Sequence, residues 1–240
     1  MNTTGLGIDI TNDVPEGAMW IASFDIGKKN FAFCIEEVRV NELEGIRSKT
    51  TLKERYYKDG TSTAEFGNVL SQVYRSGHLV LLDNIDLTYD CDGSKYIDPR
   101  LFVNMNHELD KYKHYWNKCT SIIIEQQMGF GKKRNYMALK LGQHCFSYFV
   151  FHYSNFKTII EFPSYNKTKI LGAPKKISKY QRKIWAVQKA IEILSCRMDV
   201  STTEQEFEKL IVSRKKADDM SDVITQLQAF KFLTFVDKNI

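Results

Sequence analysis

Three consecutive isoleucines, Ile122-Ile123-Ile124, run directly into Glu125-Gln126-Gln127. So short and apolar a run reads as a buried strand, and a buried strand ending on an acid fixes one carboxylate at the rim of a core. A Gly/Lys/Arg-rich loop follows at once, from Met128 to Asn135, and leads into Met137-Ala138-Leu139-Lys140-Leu141-Gly142-Gln143. A carboxylate held by a strand beside a cationic loop suits a metal that works on a phosphate backbone. Taken alone it reads first as a strand that ends in a solvated Glu. Other acids in similar settings bear on the choice.

At 240 residues and 43% hydrophobic, the chain can bury a full core, and one large α/β domain is the simplest expectation. No apolar run is long enough to span a bilayer, so no membrane is expected. The opening stretch, with Asp9, Asp13 and Glu16, resembles neither a secretory signal nor an Arg-rich presequence. Cys34, Cys91, Cys119, Cys145 and Cys196 are scattered and never spaced as CxxC. They read as reduced thiols of an intracellular protein, without a disulfide framework or a zinc site. The net charge of +5 is unevenly spread: residues 1–120 carry 14 Lys/Arg against 18 Asp/Glu, residues 121–240 carry 20 against 11. Between Gly131 and Lys183 the only acid is Glu161. Such one-sidedness suits a polyanionic partner, though a merely soluble basic face has the same composition.

Residues 1–18 are polar and aperiodic and read as a loose arm, followed by one domain over 19–240. Met19–Phe24 and Phe31–Val40 form a hairpin whose turn holds Gly27, Lys28, Lys29 and Asn30. From Asn41 to Gly77 the chain is polar with little pattern, and the whole stretch 41–97 has no assigned use. A strand is expected over His78–Leu87 and a loop over Tyr89–Ile97. Asp98-Pro99 starts a helix whose Leu101, Phe102, Met105, Leu109, Tyr112 and Trp116 share a packed face. Strand Ser121–Glu125 follows, then a helix over Tyr136–His152 whose aromatics are core or dimer surface, then strand Lys157–Phe162. Ser178 caps a helix through Leu194 with Ile184, Val187, Ile191 and Leu194 inward. A short helix over Thr203–Ser213 and a last one over Ala217–Phe230 complete an α/β sheet with helices against it.

Asp25 closes the first strand within Phe24-Asp25-Ile26-Gly27, a context also common in turns. The last helix opens with Asp218, Asp219 and Asp222, and acids in a first turn are favoured by the helix dipole in any case. Its phase separates them: Asp219 and Asp222 continue the stripe Val223, Leu227, Phe230 toward the sheet, while Asp218 leans toward solvent. A sheet-facing acid pair needs compensation. Converging with Asp25 and Glu125, it makes a four-carboxylate cluster that stays ionised only around cations. Oxygen donors without a Cys/His set indicate Mg²⁺ or Mn²⁺.

These residues carry a family resemblance. Phe24-Asp25-Ile26-Gly27 with Asn30, Ile124-Glu125-Gln126, Ala138-Leu139-Lys140-Leu141-Gly142-Gln143, Asn166-Lys167-Thr168-Lys169-Ile170-Leu171-Gly172 and Lys216-Ala217-Asp218-Asp219-Met220-Ser221-Asp222 occur in one order over residues 19–232. In that order they resemble the RuvC-type Holliday junction resolvases of the ribonuclease H-like superfamily, above all those of poxviruses and other large DNA viruses. The resemblance implies an α/β, ribonuclease H-like fold, a five-stranded mixed sheet flanked by helices, acting as a homodimer on four-way branched DNA. It places the metal ligands and catalytic acids at Asp25, Glu125, Asp219 and Asp222, holding two Mg²⁺ with Mn²⁺ as a substitute. It places DNA-contacting lysines at Lys167 and Lys169, with Lys175 and Lys176 beside them, and Lys132, Lys133 and Arg134 extend the positive charge. Met128 and Phe130 are the candidates for a wedge at the junction centre. A poxvirus-type enzyme implies work in the host cytoplasm. Three alternatives stay open: an actin-like or sugar-kinase ATPase, whose second phosphate loop is missing after Gly172; a nuclease of RNA–DNA hybrids; and a nonenzymatic DNA-binding protein.

Overall fold

The computed structural model describes residues 14–47, 50–93, 97–127, 135–197 and 217–238. Its centre is a five-stranded mixed sheet. The strands are β1 (Ala18–Asp25), β2 (Phe31–Arg39), β3 (Gly77–Ile85), β4 (Cys119–Gln126) and β5 (Thr158–Pro163), in spatial order β3-β2-β1-β4-β5. β1, β2 and β3 pair antiparallel, whereas β4 runs parallel to both β1 and β5. This is the α/β arrangement expected above. Gly27 makes the hairpin turn possible: a Cβ there would sit 2.9 Å from the Asn30 carbonyl oxygen.

β1 shows why the sheet has two dry faces. Ile21, Ala22, Ser23 and Phe24 are all fully buried, so both sides of the strand are covered. Phe24 lies among the rings of Phe31, Phe33, Trp116 and Phe149 at 5.1–5.9 Å. That face is closed by helices α3 (Arg100–Lys111), α4 (Lys113–Lys118) and α5 (Tyr136–Tyr153). Ile21 points the other way, into a core shared with α2 (Ala64–Arg75), α7 (Lys179–Ser195) and α8 (Ala217–Lys231). Two short helices, α1 (Val40–Gly45) and α6 (Tyr165–Ile170), and a π-helical turn at Phe232–Val236 complete the described elements.

Several boundaries differ from the sequence expectation. The stretch 41–77 is not patternless: it holds α1 and α2, and α2 buries Phe66, Val69, Leu70, Val73 and Tyr74 behind a Thr63 cap. The helix after Asp98 begins at Arg100, with the Asp98 carboxylate accepting the Arg100 amide at 2.9 Å, and it breaks at Tyr112 before α4. Ser178 does cap α7, through a reciprocal capping box with Gln181. Its inward face, however, is Ala186, Ala190, Ile193 and Leu194, while Ile184 is 40% exposed. Ile184, two positions before Ala186, falls on another side of the helix from this buried face. On α5, Tyr148 and Phe149 are core, and Phe151 is 85% exposed. The helix expected at Thr203–Ser213 and most of the N-terminal arm lie outside the described residues.

Candidate active site

Sheet register brings the first two acids together. Phe24 pairs with Ile124 across the parallel β1–β4 ladder, so Asp25 and Glu125 project beside each other at the carboxyl ends of adjacent strands. The two-residue period sends both toward α8, because Asp25 shares its face with Ile21 and Ser23, and Glu125 shares its face with Ile123. α8 is fastened over them by Gln226, whose Nε2 donates to Ser23 Oγ at 3.1 Å and to the Phe24 carbonyl at 3.2 Å. Asp222 lies one turn before Gln226 and therefore over the same strand ends.

A lysine sits among these acids. Lys167, on α6, is only 8% exposed, and its Nζ lies 2.9 Å from both Glu125 Oε1 and Asp222 Oδ1. Sequence reasoning placed Lys167 as a DNA lysine of the basic stretch. The structure instead turns its ammonium inward, because the short helix after Pro163 carries it over the end of β4. Burial opposes its charge, but Asp222, Glu125 and Asp25 outweigh that and hold its pKa above the usual lysine value.

The carboxylates divide into two kinds. Asp25 is pushed well above the ordinary range by burial first, then by the charge of Glu125 and their shared hydrogen bond. Burial also works against Glu125, yet Lys167 and the hydrogen bond with Asp25 keep it lowered. Asp222 is raised by burial despite Lys167, and Asp219 is raised to about 6 by burial and by Asp218. Asp219 Oδ2 is buried without a hydrogen-bond partner among the described residues. Asp218 is taken up elsewhere, in an ion pair with Lys183 of α7.

Oxygen donors with an orphaned carboxylate oxygen fit a hard divalent cation in chemistry. Among the described residues, though, no group of three or more His, Cys, Asp or Glu side chains is arranged to hold a metal ion. The charge at the centre of the cluster is the Lys167 ammonium. A second buried network shows what a purely structural one looks like here. Glu36 accepts from Arg197 Nη2 at 2.6 Å, Gln228 Nε2 at 2.7 Å and Lys231 Nζ at 2.5 Å, and is 1% exposed. Glu36 is satisfied and sealed, whereas Glu125 and Asp222 line an open groove of about 900 Å³.

That groove also takes Lys169, Lys175 and Lys176, all exposed and on its wall. Lys132, Lys133, Arg134, Met128 and Phe130 lie outside the described residues. Sequence reasoning passed over Lys179, Arg182 and Lys183, which also line the groove. A signal was available: they crowd cations into the first turns of a helix without an acid there, against the helix dipole.

Fold and site together define an α/β protein with a five-stranded mixed sheet flanked by helices and an acid cluster at the carboxyl end of its central strands. No protein-family model matches the chain. It is 33% identical to uncharacterized protein 170L of Invertebrate iridescent virus 6, over 92% of each chain, and belongs to the same family. Uncharacterized protein 97L of Invertebrate iridescent virus 3 is 29% identical over 88% of this chain and 98% of that one. Among solved structures, the chain is similar to the Fowlpox virus resolvase in complex with Holliday junction DNA. The identity is 16%, with 89% of this chain and 97% of that chain covered, at a TM-score of 0.48. It is also similar to the yeast mitochondrial Holliday junction resolvase Ydc2, 12% identical over 96% of this chain and 90% of that one, at a TM-score of 0.44. Among the described residues no helix is long and apolar enough to cross a membrane.

Proposed function

We propose that the protein is a Holliday junction resolvase, a Mg²⁺-dependent endonuclease that nicks four-way DNA symmetrically as a homodimer. The observation that supports this best is the convergence of Asp25, Glu125, Asp222 and Lys167 from four elements onto one end of the sheet, at the mouth of a basic groove. Buried acids with pKa values driven apart in a cleft mark functional sites more often than structural ones.

Asp25, Glu125, Asp219 and Asp222 are the residues that would hold two divalent ions. When bound, such ions supply Lewis acidity and an activated water for in-line attack on a phosphodiester. The chain's own contribution is placement. The β1–β4 register fixes Asp25 against Glu125, and Gln226 sets the rotation of α8 that presents Asp222. Lys167 orients Glu125 and Asp222 by binding both. Exposed lysines on the wall hold phosphates with little sequence information. A homodimer would present two such sites to the opposed strands of a symmetric junction. Cleavage would leave 5′-phosphate and 3′-hydroxyl ends, with host-cytoplasmic viral DNA as substrate.

A readout independent of cleavage tests the cation site. A ligand that binds only the folded state raises the melting temperature with its concentration. Mg²⁺ or Mn²⁺ should therefore stabilise the wild-type protein and stabilise Asp222→Asn much less. Equal stabilisation of both would remove Asp222 from the site.

A further inference from the structure

The groove that starts at the acids has a second wall, contributed by the stretch to which sequence reasoning gave no use. The turn around Tyr56–Ser62 is locked onto the segment after α6. Tyr56 donates its hydroxyl proton to the Ile170 carbonyl at 3.0 Å, and the Lys175 amide donates to the Asp59 carbonyl at 2.6 Å. Two glycines permit this approach. Gly60 (φ +95°) leaves no room for a Cβ, which would stand 2.9 Å from Lys175 Cγ, and Gly172 (φ +75°) lies against Ser62 so closely that any Cβ would overlap it. The two segments therefore form one continuous part of the lining, to which the first turns of α7 also contribute.

The lining of this channel has a definite chemistry. Apart from Glu125 and Asp222 at its floor, no acid among the described residues lines it. Lys169, Lys176, Lys179 and Arg182 are exposed along it and form no ion pair with a described acid, whereas Lys183 is committed to Asp218. Between these cations stand flat faces: Tyr165, 62% exposed, and the half-buried Trp185. Cations interleaved with aromatic faces bind the phosphates and bases of an unpaired strand, since a base in a duplex has no free face to stack. A groove of about 900 Å³, walled on both sides, is of small-ligand size.

We infer that this channel binds one unpaired polynucleotide strand, its phosphates on Lys176, Lys179 and Arg182 and its bases against Tyr165 and Trp185, and leads that strand to the acids. The inference rests on the nuclease reading and adds to it the form of the nucleic acid beside the site: the strand is single where it meets the carboxylates. On this inference the turn carrying Tyr56 and Gly60, which lines the groove, is what leaves it to a single strand.

The test uses the full chain in chelator, so that binding is seen without cleavage. Trp20 and Trp116 are buried in the core, so Trp185 is the tryptophan a groove ligand can reach. A short oligothymidylate should quench tryptophan fluorescence, and a duplex of the same length should not. Trp185→Phe should lose the quench while anisotropy still reports binding. Tyr165→Ala, at an exposed position, should weaken binding several-fold. Lys179→Ala with Arg182→Ala should flatten the salt dependence by a slope of about 1.4, or ~0.7 for each single-strand phosphate that the variant no longer neutralises. An oligouridylate arm shows whether DNA is preferred over RNA. The inference fails if the duplex quenches as strongly as the single strand, or if the double variant binds the oligonucleotide with an unchanged salt slope. Junction cleavage in Mg²⁺, measured separately, keeps the two claims apart. Quenching without cleavage sinks the nuclease reading alone, and cleavage without quenching sinks the channel alone.

Discussion

Lys167 and Asp219 pull the acid cluster in opposite electrostatic directions. Lys167 neutralises Glu125 and Asp222 from within, while Asp219 keeps a buried oxygen that no described residue satisfies. A residue whose cost is offset only by a cation is a ligand candidate, and Asp218, already paired with Lys183, is not. Asp219→Asn should therefore abolish cleavage of a four-way junction, and Asp218→Asn should leave most of it. The opposite ranking in a single-turnover assay would contradict the assignment. Lys167→Met should lower the single-turnover rate at saturating protein at least about tenfold (a barrier change of ~1.4 kcal/mol) while junction affinity holds, because its ammonium faces the acids. Lys169→Ala should do the reverse, weakening affinity with little change in the saturated rate, as a phosphate contact should. Parallel loss of affinity in both variants would return Lys167 to the DNA surface.

At the scale of elements, the Glu36 network joins β2, α8 and the end of α7. Glu36→Gln would leave Arg197 and Lys231 buried without an anion, and should cost about 3–5 kcal/mol in urea unfolding. Two cations face this one carboxylate, and burial and Arg197 hold the Lys231 pKa down to about 8 despite Glu36. A lysine lowered on folding releases its proton first. Between pH 8 and the unfolded value of 10.5, the unfolded chain binds more protons, so this group makes stability rise with pH. Lys231→Met should make that rise smaller, and a rise of unchanged size would show that Lys231 is not its source.

Element by element, what the sequence disclosed depended on how local the signal was. The strands ending in Asp25 and Glu125 were legible because apolar runs and abrupt acids need no partner to be read. The Ser178 cap was legible for the same reason. α2 was overlooked although Phe66, Val69, Leu70, Val73 and Tyr74 recur at helical spacing, because Gly67, Asn68 and Ser71 between them suggest turns. Tertiary packing left no local trace at other positions. Nothing near Lys167 says that it turns inward, since Glu125 and Asp222 reach it from far along the chain. Which face of α7 turns inward, Ala186 and Ala190 and not Ile184, is set by its packing against the rest of the core, which the spacing of Ile184, Val187, Ile191 and Leu194 alone does not encode.

For the whole molecule, the proposed enzyme joins an acid cluster at the carboxyl end of β1 and β4, a basic channel leading from it, and two copies related by symmetry. A homodimer should show in light scattering at assay concentrations, with the mass of two 27.9 kDa chains. The most direct measurement compares end-labelled duplex, RNA–DNA hybrid, flap and immobile four-way junction substrates in Mg²⁺, with nick positions mapped on every strand and Glu125→Gln run alongside. A resolvase should leave paired nicks at matching positions in opposed strands of the four-way junction, religatable without further processing, and Glu125→Gln should leave none. Preferential cutting of the hybrid, unpaired nicks on the junction, or undiminished cleavage by Glu125→Gln would contradict it.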